Sequence, residues 1–152
     1  MRSNILYLLL FSLIVGCATK LPPSQPSKRM MDQADTILLK VDQLPGEAFN
    51  GFAKHLSDRG FSFKTKNENQ MVLSTEMKES EYFDFFYGLN AEIVSADSAT
   101  VITVRGNAQN FDFGEIEPEN WGIDESLNMQ AWAQIRQIVE SYPHQELFYQ
   151  RN

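Results

Sequence analysis

The sequence predicts an α+β domain: a two-layer sandwich in which a mainly antiparallel sheet carries two helices on one face. Three observations predict it. Several short stretches alternate apolar and polar residues, two longer stretches carry apolar residues at helical spacing, and short polar turns join the alternating stretches as hairpins. Each kind of element has one face to bury, and laying both helices on the alternating face buries every stripe at once. The expected order is β-α-β-β-β-β-α, with a short further strand offered at the C-terminus.

The domain is expected over residues 34–152. In Thr36-Ile37-Leu38-Leu39-Lys40-Val41-Asp42, the side chains of Ile37, Leu39 and Val41 share one face and Thr36, Lys40 and Asp42 the other, as in a half-buried strand. Pro45 then opens a helix to about Arg59, tolerated there because its missing N–H would be unpaired anyway. Ala48, Phe49, Phe52, Ala53 and Leu56 form its stripe, and Gly60 follows its end.

A hairpin follows. Phe61, Phe63 and Thr65 alternate with polar residues, Asn67-Glu68-Asn69 suits a turn, and Met71, Leu73, Thr75 and Met77 alternate on the return. The strongest alternation is next: Phe83, Phe85, Tyr87, Leu89, Ala91 and Ile93 on one face, with Asp84, Asn90 and Glu92 on the other. It reads as one long strand ending in Ser95-Ala96-Asp97-Ser98, answered by the β-branched strand Thr100–Arg105. Residues 107–124 contain Gly114, Pro118 and Gly122 without a period and are expected as a long loop. A second helix is expected from about Glu125 to Tyr142, with Leu127, Ala131, Ile135, Ile138, Val139 and Tyr142 as its stripe and Pro143 as its stop. Trp132 is expected to pack on the sheet, and Leu147-Phe148-Tyr149 offers the final strand.

Ahead of the domain, Arg2 precedes an apolar run from Ile5 to Val15, which ends at Gly16 beside the single cysteine, Cys17. Charge, apolar run and small residue come in the order of a cleaved export signal, and the run is about half of the roughly 20 residues a spanning helix needs. Ile14-Val15-Gly16-Cys17 resembles the lipobox of bacterial lipoproteins. The resemblance implies that residues 1–16 are a signal peptide, that Cys17 carries lipid, and that no free thiol remains for redox or nucleophilic work. An ordinary export signal with a chance cysteine is the competing reading. By resemblance to the enterobacterial sorting rule, Ala18 in place of aspartate implies the outer membrane, with the domain facing the periplasm. Residues 17–33, rich in proline and small polar residues, are expected as an extended, mobile tether.

Composition narrows the partners. The chain has 13 basic and 20 acidic side chains, for a formal charge of −7, and an acidic surface repels a phosphate backbone, so nucleic acid is not expected. The membrane is expected as a partner through the N-terminal lipid. Asp112, Glu115, Glu117, Glu119, Asp124 and Glu125 make an acidic stretch that could take weakly bound calcium or a basic partner, but it lacks the spacing and turn glycine of an EF-hand and reads rather as a solvated loop. No cofactor is expected. His55 and His144 stand without metal-ligand spacing, His55 reads as a boundary residue of its helix, and no GxSxG elbow supports a nucleophile.

Aromatic residues give the candidate contact surface. Tyr82 and Phe86 alternate out of phase with the core residues around them, and Val94 continues their face. Phe111, Phe113 and Trp121 in the expected loop complete the set.

Gly60-Phe61 at a helix end, Ser74-Thr75-Glu76 on the second hairpin strand and a Trp-bearing C-terminal helix look like many small envelope lipoproteins. The element order over residues 34–142 is similar to the helix-grip domains of a lipoprotein subunit of the outer-membrane β-barrel assembly machinery. That resemblance implies a non-enzymatic adaptor or scaffold with a protein partner in the cell envelope. The rival expectation is a binder of a small ligand, such as lipid or a cell-wall fragment, in a pocket lined by the aromatics.

Overall fold

The computed structural model describes residues 20–96, 99–121 and 126–152. Cys17, the whole export segment, Asp97, Ser98, Asp124 and Glu125 lie outside the described residues. The elements run β1 (Thr36–Val41), α1 (Pro45–Ser57), β2 (Phe63–Asn67), β3 (Val72–Thr75), β4 (Lys78–Glu79), β5 (Phe86–Ala96), β6 (Ala99–Asn110), β7 (Gly114–Ile116), α2 (Leu127–Glu140) and β8 (Glu146–Gln150).

The α+β sandwich is as expected. Its sheet has the strand order β2-β3-β5-β6-β1-β8, with β4 also paired to β5 and β7 to β6, and every pairing is antiparallel. Ile37 of β1 stands between Val104 of β6 and Tyr149 of β8, and all three are buried, which fixes the core-facing register. Leu38, one residue on, pairs with Thr103 and Phe148 on the opposite, open face. Both helices cover the core face. Phe49, Phe52 and Leu56 of α1 and Trp132, Ile135 and Val139 of α2 are at most 1% exposed, each burial contributing roughly 1.5–3 kcal/mol.

The helix ends follow local chemistry. The Glu47 carboxylate accepts the Leu44 N–H at 3.3 Å before Pro45 starts α1, and Gly60 takes φ +83° after it, where Phe61 N–H returns to the Leu56 carbonyl at 3.2 Å. Ser126 caps α2 by accepting the Met129 N–H at 3.4 Å.

Three expectations need correction. The long loop from residue 107 is in part sheet: β6 runs on to Asn110 and turns back through β7, because the ladder with β5 continues without a register shift from Ala99 to Gln109. The strand expected from Phe83 begins at Phe86, because Ser80 to Phe85 closes into a turn in which Ser80 N–H donates to the Phe85 carbonyl at 2.9 Å. The return strand of the hairpin breaks at Glu76-Met77 and resumes as β4 on the same edge of β5.

The segment expected to hang free is also bonded from Lys20 onward. Ser27 exchanges two backbone hydrogen bonds with Tyr149, at 2.9 and 2.8 Å, and Ser24 N–H donates to the Arg151 carbonyl at 2.8 Å. The Arg151 guanidinium donates to the carbonyls of Pro22, at 2.6 Å, and Asp32, at 3.1 Å. Extended backbone leaves its polar groups open, and an edge strand supplies partners for them.

Candidate functional site

A groove of about 1060 Å³ runs along α2. One bank is the turn between β4 and β5, the other the outer side of α2, and Arg59 at the end of α1 closes one side. A smaller cleft of about 430 Å³ lies over Arg105, Asn107 and Glu117, with no aromatic side chain in its walls. The larger groove is therefore the better candidate for binding.

Ser80 builds the rim. Its hydroxyl, almost buried, accepts the Gln134 amide of α2 at 2.7 Å and faces the N–H groups of Tyr82 and Phe83 at 3.3 and 3.2 Å. The turn is thus pinned to the helix across from it, and Tyr82 is held out in solvent, 79% exposed. Behind it a chain of rings leads inward. Phe83 stacks on Phe85 at 5.8 Å, Phe85 meets Tyr87 at 6.1 Å, and Tyr87 meets Phe61 edge-on at 5.6 Å. Burial raises the Tyr87 hydroxyl pKa, with the nearby Glu81 charge adding to it, so the phenol stays neutral.

Three cations stand in the groove wall: Arg59, Lys78 and Arg136. Lys78 donates to the Arg59 carbonyl at 2.9 Å and lies over the Phe61 ring at 5.6 Å. Arg59 joins the helices by donating to the Ser141 hydroxyl at 2.9 Å. Trp132 is 1% exposed and forms part of the wall, and its Nε1–H has no hydrogen-bond partner among the described residues.

The candidate contact residues do not form one surface. Phe86 and Phe111 meet edge-on at 5.2 Å on the open face of the sheet, with Phe113 two residues further round the same turn. Tyr82 belongs to the groove on the other layer. Val94, opposite Val101, is eight residues from Phe86 along β5, about 27 Å at the rise of a strand. Trp121 stands near Asp32 and near Met129, which also lines the groove. Sequence reading missed Ser80, Gln134 and Arg59, since nothing in their local patterns tells that the turn and two helices converge.

The acidic stretch is divided as well. Glu117 pairs with Lys20 at 3.3 Å, while Glu119 is buried, which raises its carboxyl pKa, with Glu117 adding to the effect. Among the described residues, no three histidine, cysteine or acidic side chains stand close enough to hold a metal ion. Among the described residues neither histidine is paired to a carboxylate: His55 Nε2 lies 2.9 Å from the Ile138 carbonyl and Nδ1 3.0 Å from Arg59, and His144 Nδ1 lies 2.7 Å from the Tyr142 carbonyl.

Compared with known proteins, the chain matches no family model and no curated protein.

Proposed function

We propose that this chain is a lipid-anchored lipoprotein of the cell envelope, fixed to the outer membrane through Cys17 on its periplasmic side, whose α+β domain is a non-enzymatic adaptor for a protein partner. The groove along α2 carries the binding part of this reading. Its rim presents a tyrosine that is 79% exposed yet held by a turn bonded to the opposite bank. A ring displayed in that way loses little freedom on binding, and tyrosine and arginine supply much of the energy at interfaces. Phe83 and Tyr87 offer apolar surface deeper in, and Arg59, Lys78 and Arg136 give the wall a positive character that suits an acidic or carbonyl-rich segment.

The test is crosslinking in living cells followed by affinity capture from native membranes, using wild type, Cys17→Ala, and Tyr82→Ala combined with Gln137→Ala, the latter an α2 residue that lines the groove. A stoichiometric envelope protein, weakened by Cys17→Ala and lost from the folded groove variant, is the expected result. Retained capture by the groove variant removes the groove from the interface, and an empty capture from abundant folded protein removes the adaptor reading.

The unpartnered Trp132 Nε1–H favours a second reading, in which the groove takes a small amphiphile such as a lipid. A stoichiometric lipid in organic extracts of the purified protein would support it.

A further inference from the structure

Phe111 and Phe113 are each 78% exposed on the turn from β6 to β7. A loose turn could fold such rings inward. This one is fixed: Asn110, 4% exposed, accepts the N–H groups of Asp112 at 2.8 Å and Phe113 at 3.1 Å, and its amide donates to the Asp84 carbonyl. Pairing of Gly114 with Asn110 and Ile116 with Ala108 holds the returning strand. Two phenylalanines are therefore kept in water by a buried polar side chain, an arrangement that favours an apolar surface coming to them.

The placement of Lys20 says which surface. Its ammonium lies 3.3 Å from the Glu117 carboxylate, and Glu117 directly follows β7. Glu117 is four residues from Phe113, about 13 Å along extended chain. Cys17 stands three residues before Lys20 in the sequence, so the reach of the chain confines it to within about 11 Å. Since the segment from Lys20 to Gln33 is bonded to the domain, a lipid on Cys17 would hold the folded body by three residues rather than by the whole tether. So short a link brings the region around β7 against the bilayer.

We infer that the β6–β7 turn is a second membrane contact, with Phe111 and Phe113 entering the interfacial zone of the leaflet that holds the Cys17 acyl chains. This rests on the lipoprotein reading proposed above. The occupant is a zwitterionic lipid surface, because Asp112 lies between the two rings in sequence and Glu115 lines one cleft with Phe113, and these carboxylates repel anionic headgroups. A lipid chain joined to a nearby apolar contact holds more firmly than either alone, since the first attachment raises the effective concentration of the second.

Photoreactive benzoylphenylalanine at position 111, 113 or 94 of the full chain, irradiated in native membranes, tests the inference. Palmitate labelling of the same samples tests the lipoprotein reading separately. Phospholipid adducts at 111 and 113, several times more abundant than at 94 and mainly with phosphatidylethanolamine, are expected. Palmitate-labelled chain giving only protein adducts, or none, at 111 and 113 would overturn the membrane contact while leaving the anchor in place. Loss of palmitate labelling with lipid adducts retained would overturn the anchor reading and keep the contact.

Discussion

Gly106 of β6 lies beneath Ile135 of α2, so close that a Cβ on the glycine would stand 2.1 Å from the Ile135 Cδ1 atom. The absent side chain is what lets α2 rest on the sheet at this point. Replacing glycine in a strand normally stabilises by up to about 1 kcal/mol, whereas overpacking a filled core costs about 1–3 kcal/mol, so the clash should win. Gly106→Ala is expected to lower stability by that margin in denaturant unfolding. Ile135→Val removes the clashing methyl, so the double variant should lose less than the sum of the single changes. An additive cycle would mean that the two residues do not touch.

His55 should make stability depend on pH. Desolvation lowers its pKa below the ordinary value near 6.5, opposed by the Ile138 carbonyl and helped by Arg59. A depressed folded-state pKa means that the unfolded chain takes up the proton first. The contribution is therefore complete above pH 6.5 and is lost as pH falls through the lowered folded-state value. Thermal melts at pH 7.5 and pH 5 should show a larger loss for wild type than for His55→Gln. Equal losses would place the pH dependence elsewhere than at His55.

Arg151 should control the N-terminal segment. Arg151→Ala removes the donors to the Pro22 and Asp32 carbonyls and leaves the core intact. The loss is on the order of 2 kcal/mol, which corresponds to roughly 30-fold faster local opening. Amide exchange at Ser24 and Ser27 should accelerate by that order, and trypsin should cut sooner after Lys28 and Arg29. Unchanged exchange would mean that the backbone bonds to Tyr149 suffice.

The fold class was legible because alternation and helical spacing report burial directly, as at Ile37, Leu39 and Val41 or Phe49, Phe52 and Leu56. The end of β6 was not. Its core-facing positions are Gly106, Ala108 and Asn110, small or polar because α2 lies close above Gly106 and Asn110 serves the turn, so the apolar signal disappears where the packing is tightest. Phe83 misled in the opposite direction, since its stacking on Phe85 fits the alternation although the backbone has already left the sheet. The groove was invisible for a different reason. Ser80 and Gln134 are 54 residues apart, and no local pattern records a contact of that span. Exposure of Tyr82, Phe111 and Phe113 could be read from phase and composition, whereas their separation into different surfaces depends on topology.

The bonds from Ser24 and Ser27 to Tyr149 and Arg151 also set an order in time. Synthesis delivers residues 149–151 after everything else they join, so the segment that begins at Lys20 cannot settle until the final strand has arrived. On the lipoprotein reading proposed above, docking of the segment would shorten the free chain between anchor and domain. On that same reading, completion of the fold would set how near the domain stands to its point of attachment, and a chain truncated before β8 would keep a long leash for good.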